Sequence, residues 1–132
     1  MSAPPVDWAD LRAEAARAAA RSYSPYSSFP VGAAALLPDG SVISAANVEN
    51  ASYVAGICAE TALVGVLVSS GRTRGDLVAV AVTDPDGHDL SPCGRCRQLL
   101  HEMGGPDLLL NERPMHEWLP GAFGPDDLAA GP

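Results

Sequence analysis

The sequence predicts an α/β fold, with helices layered on a mixed β-sheet. Two patterns carry that prediction. A hairpin signal in the first third is followed by helical stretches that alternate with short apolar strands, the order that builds layered sheets. The stretch 77–83, Leu-Val-Ala-Val-Ala-Val-Thr, is a nearly continuous apolar run of strand length, as expected of a strand covered on both faces. Size is the third observation: 132 residues, 47% of them hydrophobic, suit one compact domain spanning 1–132. A domain of that size buries ~65–70% of its unfolded surface, so a metal is not required merely to complete a core.

Residues 1–6 read as a loose lead-in. Asp7 is placed to cap a helix reaching about Arg21, with Asp10 at the reciprocal position of a capping box. Trp8, Leu11, Ala15, Ala18 and Ala19 form its apolar stripe. Two prolines, four serines, two tyrosines and Phe29 make residues 22–30 an ordered loop. Residues 31–37 and 41–47 flank Pro38-Asp39-Gly40 and form a hairpin. Residues 47–57 are a polar loop. A helix runs from Cys58 to about Ser70, stopped by Gly71. The apolar strand follows, and Asp84-Pro85-Asp86-Gly87 is a turn. Residues 93–103 are helical and end at Gly104-Gly105. A fourth strand covers 108–111 and a short fifth falls near 114–118. The Pro/Gly-rich end, 128–132, frays.

The formal net charge is −8 and the pI about 4.6. All eight basic residues are arginine. An acidic surface argues against a long nucleic acid as partner, which needs a basic stripe. No apolar run approaches the ~20 residues of a membrane span, and the first residues lack a secretory pattern. Three cysteines cannot pair completely, so a reducing cytoplasm is the expected compartment.

Those cysteines carry the chemistry. Cys58-Ala59-Glu60 is followed further on by Pro92-Cys93-Gly94-Arg95-Cys96, and there is no fourth cysteine. Structural zinc sites close with four protein ligands, whereas catalytic ones use three and keep a position for water. Taken alone, Cys93 and Cys96 fit a redox pair or half a zinc ribbon as well as a catalytic site. Cys58 alone would be a buried thiol, and Glu60 alone a first-turn residue matched to the helix dipole. All four together with Pro92 match the signature of zinc-dependent nucleobase deaminases. Both cysteine groups fall at expected helix starts. Zinc on three thiolates carries a net charge of −1, which weakens it as a Lewis acid. Helix N-termini offer unpaired N–H groups and positive potential to offset this. Cys93 and Cys96, three apart, face one point. Glu60, two from Cys58, is badly placed as a fourth ligand but well placed as a general base. His88, His101 and His116 are not needed as ligands; His88 belongs to a turn and His101 to a helix surface.

Over nearly its whole length the chain resembles the small, homotetrameric cytidine deaminases. Besides the zinc motif, the matching stretches are residues 24–34, Asn47-Val48-Glu49-Asn50-Ala51-Ser52-Tyr53, Arg97-Gln98 after Cys96, and Leu119-Pro120-Gly121-Ala122-Phe123-Gly124. The resemblance implies a three-layer α/β/α cytidine deaminase-like fold with a mixed five-stranded sheet, bound Zn2+, and active sites shared within a homotetramer. It implies that Phe29 packs on the pyrimidine and that Asn47 and Glu49 bind the ribose hydroxyls. The backbone of Ala59 and the carbonyl of Ser91 would read the base edge. Ala51, Tyr53 and Phe123 would reach, at least in part, a neighbouring subunit's site. The residues by themselves also allow a core phenylalanine at 29, a packing role for Phe123, and an Asn47 that satisfies loop backbone. Glu49 would repel phosphate, which favours free nucleosides.

Many members of that family carry arginine directly after the catalytic glutamate, where this chain has Thr61. The expectation is that Arg95 or Arg97 restores part of that positive charge near the sulfurs. The expected reaction is hydrolytic deamination of cytidine and 2'-deoxycytidine in pyrimidine salvage. Two other readings stay open here: the same chemistry on a cytosine-containing antibiotic, as in the related blasticidin deaminases, and a non-catalytic zinc module with a fourth protein ligand.

Overall fold

The structure is a computed structural model that describes residues 3–128. The expected loose positions 1, 2 and 129–132 lie outside the described residues. Asp7 caps helix α1 (Trp8–Ala19), accepting a hydrogen bond from the Asp10 N–H at 3.1 Å. Leu11, Ala15, Ala18 and Ala19 are buried along one stripe, with Trp8 at its edge. The hairpin pairs β1 (Gly32–Leu36) with β2 (Val42–Ala46) in antiparallel register, Gly32 opposite Ala46. Its turn places Gly40 at φ 88°, a left-handed conformation natural to glycine, and Ser41 donates N–H and hydroxyl bonds to Asp39.

Helix α2 (Ala59–Ser69), strand β3 (Ala79–Thr83) and helix α3 (Gly94–Gly104) follow. The chain closes with β4 (Leu109–Leu110), β5 (Arg113–Pro114) and α4 (Met115–Trp118). The fifth strand is thus earlier and shorter than 114–118. A two-residue hairpin through Asn111 and Glu112, both at positive φ, exhausts it, and the next residues coil into a helical turn.

The sheet order is β2-β1-β3-β4-β5. Only β3 and β4 are parallel; the other neighbours are antiparallel. Alternation along the central strands divides the core. Ala34, Leu36, Ala79 and Ala81 face α1 with Leu11 and Ala15. Ala33, Ala35, Val80 and Val82 face the opposite side with Leu63 and Leu67 of α2 and Leu100 of α3. The result is the expected three-layer α/β/α arrangement. Among the described residues, no helix is long and apolar enough to cross a membrane.

Alanines on one face let α1 settle close to the sheet. At Gly32 the approach is extreme: a Cβ there would stand 1.9 Å from the Ala15 carbonyl oxygen and 2.5 Å from the Ala19 nitrogen. Backbone cannot yield as a side chain can. Gly32→Ala is expected to destabilise the fold by at least about 1–3 kcal/mol, the usual cost of overpacking. A lower urea midpoint at unchanged slope reads this loss.

Candidate active site

Two helix N-termini meet on the face opposite α1. Cys58 is the N-cap residue of α2 and Cys93 that of α3, with Cys96 in the first turn of α3. Helices α2 and α3 pack together and bring the three sulfurs within 4.8 Å of one another. Among the described residues no histidine, aspartate or glutamate joins that group. A tetrahedral zinc with ~2.3 Å bonds would hold its sulfurs ~3.8 Å apart, so the cluster fits the ion with small closure and keeps one position for a non-protein ligand.

The thiols differ in surroundings. Burial pushes Cys58 and Cys96 up, and Cys96, fully buried, is raised furthest. Burial also acts upward on Cys93, but the backbone N–H groups of Cys96 and Arg95 and the adjacent thiols outweigh it, and its pKa falls. A cation at the centre of three sulfurs supplies the charge that their burial otherwise opposes.

Glu60 stands beside the cluster in the first turn of α2. It is 4% exposed, and burial raises its carboxyl above the ordinary range. With Cys58, Ala59, Cys93 and Arg95 it lines a cavity of about 690 Å³. Phe29, Asn47, Glu49, Tyr53 and Ser91 line the same cavity.

The wall opposite the helices is built from two loops laced together. Tyr23 bridges Val48, and Val48 bridges Ile57. Asn47 sits at the crossing: its Oδ1 accepts from the Val31 N–H at 2.9 Å and the Ser22 hydroxyl at 2.5 Å, while Nδ2 donates to the Phe29 carbonyl at 3.1 Å. One amide hydrogen is left for a ligand. Glu49 accepts from the N–H groups of Tyr26 (2.9 Å) and Ser27 (3.1 Å) and from the Ser27 hydroxyl. The Ser27 bond and these amides hold its carboxyl below the usual range, so it is ionised.

The other residues singled out in the sequence fall in different places. Ala51 and Phe123 do not line this cavity within one chain. Phe123 is exposed, its carbonyl held by the Gln98 side chain at 2.8 Å. Arg97 does not serve the sulfurs: it donates to the Pro92 and Trp118 carbonyls, both at 2.9 Å, and lies over the Trp118 ring. Its position, one past Cys96, turns it across the start of α3 rather than into the metal pocket. Arg95 lines the cavity, but the side chain in hydrogen-bond contact with a cysteine sulfur is Thr61, whose Oγ1 lies 3.9 Å from the Cys96 sulfur. His101 is not a surface residue; it is half-buried, its Nδ1 enclosed without a partner.

Asn111 is a supporting residue that the sequence reading missed. At φ 48° it leaves β4, and its side chain bonds the Val82 N–H and the carbonyls of Val82 and Leu90. It thereby fixes the segment that leads to Ser91 and Cys93. An asparagine directly after an apolar strand was the available signal.

Fold, sulfur cluster and buried carboxylate define a zinc-dependent deaminase. Residues 8–111 match the family described as cytidine and deoxycytidylate deaminase zinc-binding region. The chain is 52% identical over 129 residues to a cytidine deaminase of Mycobacterium tuberculosis, covering 95% of this chain and 96% of that one. A cytidine deaminase of Halalkalibacterium halodurans is 42% identical over 124 residues, covering 87% and 92%. The crystal structure of a cytidine deaminase from Mycobacterium tuberculosis superposes with a TM-score of 0.86 at 51% identity, over 91% of this chain and 99% of that one. The chain belongs to the cytidine deaminase family, and its cofactor is zinc.

The purified protein is expected to carry one zinc per chain. Cys96→Ser, which leaves two thiolates and a poor third ligand, is expected to lose it, as elemental analysis would report.

Proposed function

We propose that the chain hydrolyses cytidine and 2'-deoxycytidine to uridine and 2'-deoxyuridine, releasing ammonia, as a step of cytoplasmic pyrimidine salvage. The observation that carries this reading is Glu60, a buried carboxylate beside three sulfur ligands and facing the same cavity as a ribose-sized set of polar groups. Zinc held by Cys58, Cys93 and Cys96 would lower the pKa of a water towards ~7. Glu60 takes a proton from that water as its oxygen bonds to the amino-bearing ring carbon, and passes the proton to the ring nitrogen. It then takes the remaining proton from the new hydroxyl and delivers it to the amine, so that the carbonyl forms as the carbon–nitrogen bond breaks and ammonia leaves. Burial raises Glu60, which makes its carboxylate a stronger base towards the water.

Recognition follows from the remaining groups. Phe29 packs on the pyrimidine face, and the Ala59 backbone and Ser91 carbonyl read its edge. Asn47 gives its one free N–H to a ribose hydroxyl, and Glu49 accepts from the hydroxyls with the lone pair that its loop partners leave open. An ionised Glu49 repels phosphate, which favours nucleosides over nucleotides. We assign Ala51, Tyr53 and Phe123 to sites shared within a homotetramer. Tyr53 at 81% exposure, Val54 at 93% and Phe123 at 58% support this, because they leave large apolar groups in water.

A cytidine-to-uridine absorbance assay with and without a chelator tests the reading: activity is expected to vanish on zinc removal and return on readdition. Glu60→Gln is expected to keep its zinc and lose at least ~10²-fold in rate; near-normal turnover would refute the role of Glu60. The active species is expected to scatter light as a tetramer, and full activity in a monomer would rule out the shared site.

A further inference from the structure

We propose that Thr61 is a positioning residue of the metal centre, its hydroxyl donating to the Cys96 sulfur and carrying part of the thiolate charge when zinc is bound. The inference rests on the three cysteines holding that ion. Among them Cys96 is the one that solvent cannot help: it is fully buried, whereas Cys58 is partly and Cys93 openly accessible. Cys93, at the N-cap of α3, faces the free amides of that helix. Cys96 lies inside the first turn, past the position to which those amides point, so its charge needs a donor from another element.

Thr61 supplies one across the α2–α3 interface. It stands three residues after Cys58 on α2, hence on the same face, and its Oγ1 is 3.9 Å from the Cys96 sulfur, the long end of the range for sulfur. The usual competing use of a helical threonine hydroxyl is a bond back to the carbonyl four residues earlier. Here that carbonyl, of Ile57, accepts the Val48 N–H at 3.0 Å, and the Thr61 side chain turns to the sulfur instead. A thiolate has no proton to give, so with metal present the hydroxyl is the donor. Neutral donation spreads the charge of the most enclosed sulfur while adding no cation to the pocket.

Thr61→Val keeps the branched shape and removes the donor; Thr61→Ser keeps the donor and trims the shape. Competition for Zn2+ against a chromophoric chelator is expected to show Thr61→Val binding ~10–100-fold more weakly, the usual cost of losing an outer-shell partner, with Thr61→Ser near the parent. In the Co2+-substituted proteins the thiolate-to-cobalt absorption is expected to move to longer wavelength in Thr61→Val alone. Unchanged Zn2+ affinity in Thr61→Val, or equal loss in both variants, overturns the proposal. A parent that fails to bind Zn2+ overturns it together with the metal site. If Thr61→Val does not fold, the comparison of Thr61→Ala with Thr61→Ser decides on the same two readouts.

Discussion

The convergence of two helix N-termini on one point governs the rest of the structure. Each end presents unpaired amides and positive potential, and each begins with a cysteine. Three sulfurs gathered there are costly as thiolates in a buried pocket and stable around a cation. The sheet serves this arrangement. β1 and β3 at its centre offer small and branched side chains to α2 and α3 on one face and alanines to α1 on the other. Helices α2 and α3 are thereby fixed side by side, and the cavity opens at their shared end.

Support for the site comes from groups that never face it. Asn111 braces β3 against the segment before Ser91. Arg97 ties Pro92 to the end of α4 through Trp118. The Cys93 side of the pocket is thus held from behind by one buried amide and one stacked guanidinium. The facing wall is held by hydrogen bonds between two loops that belong to no regular element. Helices carry the three cysteines and Glu60, and laced loops carry Asn47 and Glu49 on the facing wall.

Most of this architecture was legible in the residues. The Pro-Asp-Gly turn, the Asp7 cap and the apolar run before Asp84 each act locally, and the elements they set formed within a residue or two of their expected bounds. The metal ligands were legible because spacing on a helix determines direction. What was not legible depends on contacts between distant parts. The direction of Arg97 is set by a tryptophan far along the chain, the half-burial of His101 places it beside Gly124 of the C-terminal tail, and the bracing by Asn111 by a left-handed turn after a two-residue strand. The expected arginine partner of the sulfurs was Arg95 or Arg97; packing turns Arg97 away, leaves Arg95 on the cavity wall and puts the Thr61 hydroxyl beside Cys96.

Asn47 shows how closely recognition and architecture are joined. Three of its four hydrogen-bonding valences hold Ser22, Phe29 and Val31, and the one left over is the one offered to a ligand. A residue so committed has little room to drift. Any substitution at Asn47 must also find new partners for three loop groups, whereas cavity residues without such ties are freer to vary. In this chain the wall of the pocket around Asn47 resists change because it is also the knot that ties the loops.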